Sequence, residues 1–182
     1  MHDVSDRYRR LAEAFGEKVA AVPADRWGAP TPCEGWTARD LVRHVIDAHG
    51  IFLGLVGRQM GDIPPVEDDP VAAFGAARAR VQADLDDPVL AGEEFDGFFG
   101  RSTFAQGVDR FLCSDLLLHG WDLARATGLD ETMDSVEVTR VFDQLRSFGE
   151  SARAPGAFGA EIEAPPGADE QTQLLSFAGR RV

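Results

Sequence analysis

This chain of 182 residues is poor in several residue types, and each shortage excludes a class of protein. Its two cysteines, Cys33 and Cys113, lie far apart and form neither a CxxC pair nor a zinc-ribbon spacing. A disulfide-stapled secreted fold and a four-cysteine zinc fold are therefore excluded, and we expect no disulfide between the two thiols. No apolar run reaches the roughly 18 residues that a membrane-spanning helix needs, so we expect no membrane span.

Basic residues are also scarce, since 18 Lys and Arg stand against 31 Asp and Glu and leave a net charge of −13. A surface of this sign repels nucleic acid and anionic membranes. The first residues lack the basic and apolar regions of a signal peptide. We therefore expect a cytoplasmic protein, a monomer or homodimer, with small molecules and neither nucleic acid nor membrane as partners.

Hydrophobic residues make up 44% of the chain, and their spacing is that of amphipathic helices. Local signals mark several helix ends: Thr37 with Asp40 resembles a capping box, Pro70 suits a first helical position, and Gly128 suits a C-terminal cap. The predicted helices span approximately residues 4–22, 37–56, 70–85, 103–127, 135–148 and 170–178.

The connections between these helices are turn-rich or mixed. Residues 86–101 contain Phe95, Phe98 and Phe99. We expect this connection to cover one end of the helices, or its apolar residues to form a short strand or one wall of a substrate pocket. Residues 155–166 are rich in Gly and Pro and are predicted to be irregular. The pattern predicts one all-α domain over residues 1–182, a four-helix bundle of the first four helices with short extra helices after it.

The segment DLLLHGWD, residues 115–122, carries the clearest chemical pattern. Asp115 and His119 are four residues apart, so both project from one helix face, and Asp122 follows on the same side. A carboxylate and an imidazole among apolar neighbours form half of a divalent-metal site. The alternative is an ordinary surface pair worth roughly 0.2–0.5 kcal/mol, since the specific HExxH pattern is absent.

A further ligand has to come from elsewhere, and the second predicted helix offers His44 and His49. Their spacing of five residues separates them by about 140° on a helix, so one ion cannot bind both. The apolar stripe slightly favours His44 as the inward-facing ring. Either histidine can equally be a hydrogen-bonded core or boundary residue.

Two segments carry a family resemblance. Residues 31–44, TPCEGWTARDLVRH, and residues 115–128, DLLLHGWDLARATG, resemble motifs of the actinobacterial branch of the DinB-like metalloprotein superfamily. That branch includes mycothiol-dependent maleylpyruvate isomerase and the mycothiol S-transferases. Residues 155–159 and 178–180 are also similar to it.

The resemblance implies an antiparallel four-helix bundle that binds zinc or nickel through His44, Asp115 and His119. The family position that matches Asp115 is often Glu or His, so a shorter ligand is expected here. It also implies mycothiol as a co-substrate, with S-transfer to an electrophile or a thiol-assisted isomerisation as the reaction. Full-length maleylpyruvate isomerases extend beyond the bundle, which weighs against that particular activity.

Two imidazoles and one carboxylate leave a coordination position open, as in catalytic zinc sites. If His49, Asp122 or Cys33 occupies that position, the site is instead that of a non-catalytic metal-binding module. A metal-dependent hydrolase is a further alternative. Asp122 is either an acceptor that orients an imidazole or a surface charge. We expect Cys33 to be a structural, half-buried thiol, and Trp36 and Trp121 to be packing residues.

Overall fold

The computed structural model describes residues 2–97, 100–149 and 159–182. Phe98, Phe99 and residues 155–158 of the predicted irregular segment lie outside these ranges, and residues 159–166 are irregular as predicted. Contacts divide the chain into two compact units, Met1–Asp130 and Glu131–Val182. The single domain over residues 1–182 stays a prediction.

The described residues are mostly helical, which confirms the helical class. The first unit contains α1 His2–Ala21, α2 Ala38–Leu55, α3 Pro70–Asp86, α4 Pro88–Ala91, β1 Glu94–Gly97, β2 Gly100–Thr103, α5 Phe104–Gly107, a π-helical segment Val108–Leu112 and α6 Cys113–Thr127. The second unit contains α7 Ser135–Phe148 and α8 Glu170–Phe177. No described helix is long and apolar enough to cross a membrane.

The helix ends lie where the local sequence signals predict them. Thr37 caps α2 through a complete capping box with Asp40. Asp69 caps α3, which has Pro70 in its first turn. Gly128 ends α6 in the left-handed conformation, with φ of 78°. These signals fix the length of the two helices that carry the predicted ligands.

Residues 86–101 include the short strand that is one of the three forms expected from the sequence, whereas one predicted helix departs from a plain α-helix. Part of the 86–101 connection is a hairpin, in which Glu94 of β1 pairs with Thr103 of β2. The helix predicted over 103–127 is not uniformly α-helical, because Val108–Leu112 forms a π turn. There the Cys113 N–H donates to the carbonyl of Val108, five residues back.

A buried arginine accompanies the π turn. Nη1 of Arg7, on α1, donates to the carbonyl oxygen of Asp109 at 2.6 Å and to its Oδ1 at 2.9 Å. In a regular α-helix the N–H of Cys113 would donate to the carbonyl of Asp109. Because the π turn directs that N–H to Val108, the Asp109 carbonyl can accept the hydrogen bond from Arg7.

In the first unit, α1 packs against α3 and α6, and α2 packs against the same two helices. The hydrophobic effect stabilises this arrangement through large buried side chains from all four helices. They include Tyr8, Phe15, Leu41, Leu53, Phe74, Leu118 and Trp121. In the second unit, α7 packs against α8, and the rings of Phe142 and Phe177 meet edge to face at 5.7 Å.

Candidate metal centre

Three side chains predicted as ligands lie together in the first unit. His44 comes from α2, and Asp115 and His119 are one turn apart on α6. Nε2 of His44 lies 3.5 Å from Oδ2 of Asp115, and Nε2 of His119 lies 3.7 Å from Oδ1. One ligand atom from each residue falls within 4.8 Å of the other two. Two packed helices therefore bring together residues that are distant in sequence.

These separations fit a divalent cation. Nitrogen and oxygen ligands at roughly 2.1 Å from a tetrahedral zinc ion lie roughly 3.4 Å apart. Burial works to raise the pKa of Asp115, but the charge of His119 and a hydrogen bond and charge from His44 together lower it below its ordinary value. The carboxylate is therefore the favoured form, and it is the form that binds a cation.

The second ring nitrogen of His119 is held by a buried carboxylate. Nδ1 of His119 lies 2.9 Å from Oδ2 of Asp122, whose side chain is fully buried. A carboxylate only accepts hydrogen bonds, so Nδ1 carries the proton and the lone pair of Nε2 points towards Asp115.

Cys33 also reaches this carboxylate. Its Sγ donates to Oδ2 of Asp122 at 3.5 Å and lies 3.9 Å from Nδ1 of His119. The thiol is not part of a disulfide and is half-buried, as its sequence context predicts. Its contact with His119 was not predicted, because no histidine is near Cys33 in sequence. The only available signal is that Cys33 belongs to the same motif as His44.

A tight turn in the loop before α2 presents both Cys33 and Trp36 to the centre. The Trp36 N–H donates to the carbonyl of Cys33 at 3.0 Å, and Gly35 within the turn has φ of 79°. The Trp36 ring lies 4.6 Å from the ring of His44, between centroids. Trp36 thus lines the cleft and also packs against the ring of His44. Trp121, only 1% exposed, is a packing residue as predicted.

The centre opens on one side into a cleft of about 420 Å³. The side chains of His44 and Asp115 are 38% and 28% exposed, so solvent and small molecules reach them. The cleft is lined by Gly35, Trp36, Asp40, Arg43, His44 and Asp47. Hydrogen bonds from Thr37 and from Arg43 lower the pKa of Asp40 to about 2, which keeps Asp40 ionised beside Arg43.

His49 lies in a different environment. It is fully buried, with Nδ1 2.6 Å from the carbonyl oxygen of Val45 and Nε2 2.8 Å from the hydroxyl of Tyr8. Burial lowers the pKa of His49 to about 4, against raising effects of the Val45 carbonyl and the charge of Asp115. His49 therefore belongs to the core.

Comparisons with known proteins identify the family of this chain. Residues 8–124 match the family described as the mycothiol maleylpyruvate isomerase N-terminal domain. The uncharacterized proteins MT0763 and Rv0738, from two strains of Mycobacterium tuberculosis, are each 33% identical over 180 residues, which is 96% of either chain. No solved structure matches the chain. This chain therefore belongs to the mycothiol maleylpyruvate isomerase N-terminal domain family, which is a DinB-like family.

Proposed function

We propose that this chain is a divalent-metal-dependent enzyme that uses a small thiol, with mycothiol as the thiol. Its reaction is the transfer of the thiol to an electrophile or a thiol-assisted isomerisation. The observation that carries the proposal is the convergence of His44, Asp115 and His119 beside an open cleft. Membership of a mycothiol-related family supports the choice of thiol.

In this proposal, helices α1, α2, α3 and α6 form the antiparallel four-helix bundle that the resemblance implies. His44, Asp115 and His119 hold a zinc or nickel ion between α2 and α6. Such an ion, when bound, lowers the pKa of a thiol ligand and so supplies a thiolate at neutral pH. We propose the cytoplasm as the location, because small thiols are kept reduced there.

The other residues of the centre have positioning roles. Asp122 accepts a hydrogen bond from Nδ1–H of His119, so that in the neutral ring the lone pair lies on Nε2, which faces Asp115. The Trp36 ring packs against His44 and limits its rotation. The open cleft then admits the thiol and its electrophile to the side of His44 that faces solvent.

The geometry favours catalysis over a purely structural metal site. Asp122 and Cys33 contact Nδ1 of His119, which is turned away from Asp115. His49 is hydrogen-bonded to Tyr8 in the core. These contacts support a coordination position left for a substrate, as in zinc enzymes with three protein ligands.

The test combines metal analysis with a thiol-transfer assay. We expect about one divalent ion per chain in the purified protein, since three ligands from one chain form one site. We expect the ion to be lost in His119→Ala. The metal-loaded protein should conjugate mycothiol to a bimane electrophile faster than the metal-stripped protein.

The control is Arg140→Ala, in the second unit, which should retain both the metal and the rate. An equal rate with and without the metal would contradict the thiol-transferase proposal. Ester hydrolysis that needs the metal but no thiol would favour the hydrolase alternative.

A further inference from the structure

The two nitrogens of His119 face two different groups of metal-binding atoms. On the Nδ1 side lie Sγ of Cys33 and Oδ2 of Asp122, and these three atoms fall within 4.8 Å of one another. We propose that Cys33, His119 and Asp122 form a second cation position, selective for thiophilic metals, which competes with the first position for His119. This inference goes beyond the proposed function.

The distances are close to those of a filled site. With sulfur at roughly 2.3 Å from zinc and nitrogen or oxygen at roughly 2.1 Å, tetrahedral ligand atoms lie roughly 3.4–3.6 Å apart. The observed separations are 3.5 Å from Cys33 to Asp122 and 3.9 Å from Cys33 to His119. Only the pair His119 and Asp122, now hydrogen-bonded at 2.9 Å, has to widen.

The donor atoms define the kind of cation. A thiolate with an imidazole favours soft and borderline ions such as Cd²⁺, Cu⁺ and Zn²⁺, whereas two imidazoles and a carboxylate lack a sulfur donor. The carboxylate of Asp122 is fully buried, so bulk water competes little for it. Cys33 is half-buried and lies beside Gly35 and Trp36 of the cleft wall, which gives an ion an entry route.

The shared imidazole makes the two positions antagonistic. A neutral imidazole has one protonated nitrogen and one lone pair. When an ion takes the lone pair on Nδ1, the ring proton moves to Nε2, where Oδ1 of Asp115 lies 3.7 Å away as an acceptor. The thiol proton of Cys33 passes to solvent. The first position then loses His119 as a ligand.

The first test uses cadmium with the metal-free, full-length protein. We expect Cd²⁺ to produce the ultraviolet charge-transfer band of a cadmium thiolate in wild type. The band should be lost in Cys33→Ser and weakened in Asp122→Asn. It should persist in His44→Ala, which alters only the first position.

Cys113→Ala is the matched control, because Cys113 is the other thiol of the chain and is fully buried. The band should be unchanged in that variant. A band that survives Cys33→Ser, or that never forms in wild type, would overturn the second position. If the band in Asp122→Asn and in His119→Ala were as strong as in wild type, cadmium would be bound by Cys33 alone. That result would also overturn the second position.

The second test measures the antagonism. Cd²⁺ added to zinc-loaded wild type should release zinc, detected with a chromogenic indicator, and Cys33→Ser should lose this response. Equal release from both proteins would mean that cadmium enters the first position directly, which overturns the coupling. A wild-type protein that binds no zinc would overturn the coupling as well. The cadmium band, by contrast, tests the second position independently of the proposed function.

Discussion

His44 and His49 lie on the same helix, five residues apart, and have opposite surroundings. The side chain of His44 is 38% exposed, beside Trp36 and Asp115. His49 is fully buried and hydrogen-bonded to Tyr8 and to the Val45 carbonyl. The rotation between the two positions directs one ring to a solvent-filled cleft and the other to the core.

This difference separates two uses of the same side chain. A histidine that binds a metal needs an accessible ring nitrogen and a nearby anionic ligand, and His44 has both. A histidine that stabilises a core needs both nitrogens satisfied by protein groups, and His49 meets that condition. Removing each ring should therefore affect different properties of the protein.

The largest expected effect is the loss of metal in His44→Ala. We expect the variant to retain almost none of the approximately one ion per chain of wild type, because one of three protein ligands is missing. The free energy of unfolding of the metal-free protein should change by less than about 1 kcal/mol, since the ring is partly exposed. Elemental analysis after dialysis, with urea unfolding of the metal-free form, measures both quantities. Undiminished metal in His44→Ala would remove His44 from the site.

The converse substitution, His49→Ala, should destabilise the fold by about 2–4 kcal/mol. The substitution leaves a cavity. It also removes Nε2 of His49, which is the hydrogen-bond partner of the Tyr8 hydroxyl. Tyr8→Phe leaves no such cavity, removes this hydrogen bond together with the long one to the Arg78 carbonyl at 3.4 Å, and should cost only about 1 kcal/mol. Urea unfolding of the two metal-free variants checks this. Full stability of His49→Ala would show that the buried ring does not support the core.

His49 should also make stability depend on pH. Its pKa falls from 6.5 to about 4 on folding because burial disfavours the charged ring. Protons therefore bind the unfolded chain first, so stability is complete above pH 6.5 and falls as the pH decreases towards about 4. The loss amounts to roughly 3 kcal/mol at most. Urea unfolding at a series of pH values should give a flatter profile for His49→Gln than for wild type, and identical profiles would contradict the assignment.

The smallest effect should come from removing the N-terminal cap of α2, the helix that carries both His44 and His49. Thr37 caps α2 through Asp40, so Thr37→Ala should lower the free energy of unfolding by about 1 kcal/mol. Metal stoichiometry should stay the same, because the cap contributes no ligand. Thr139→Ala, at an exposed position in the middle of α7, is the matched control for removing a threonine hydroxyl from a helix. A metal loss in Thr37→Ala alone would mean that the cap positions His44.

The sequence predicted well what short-range chemistry determines. Thr37, Pro70 and Gly128 act through neighbours within a few residues, and the helix ends follow from them. Spacing alone did not decide between His44 and His49, because that choice depends on which helices pack against α2. The family resemblance named His44, Asp115 and His119, and the structure brings them together.

Long-range contacts account for what the sequence did not reveal. Cys33 reaches Asp122 only through a turn in a loop, across 89 residues of chain. The π turn at Val108–Leu112 is accompanied by a hydrogen bond from Arg7, whose position is 102 residues from Asp109. Neither contact produces a periodic pattern in the sequence. The pattern of residues 108–112 is therefore that of an ordinary α-helix, and the contact of Cys33 with Asp122 has no counterpart in it.

The π turn also determines which kind of mutation the centre tolerates. A π turn holds one residue more than the α-helical turn it replaces, and one residue corresponds to about 100° of helix rotation. Removing a single residue from Val108–Leu112 would therefore restore an α-helical turn and keep the helix on either side in register with Asp115 and His119, but a helical N–H would then bond the carbonyl that now accepts from Arg7. Relatives of this chain should therefore tolerate a one-residue gap in this turn where the position of Arg7 holds a residue that does not use that carbonyl, whereas a one-residue gap between Asp115 and His119 would turn one ligand by about 100° relative to the other and mark a protein that has lost the centre.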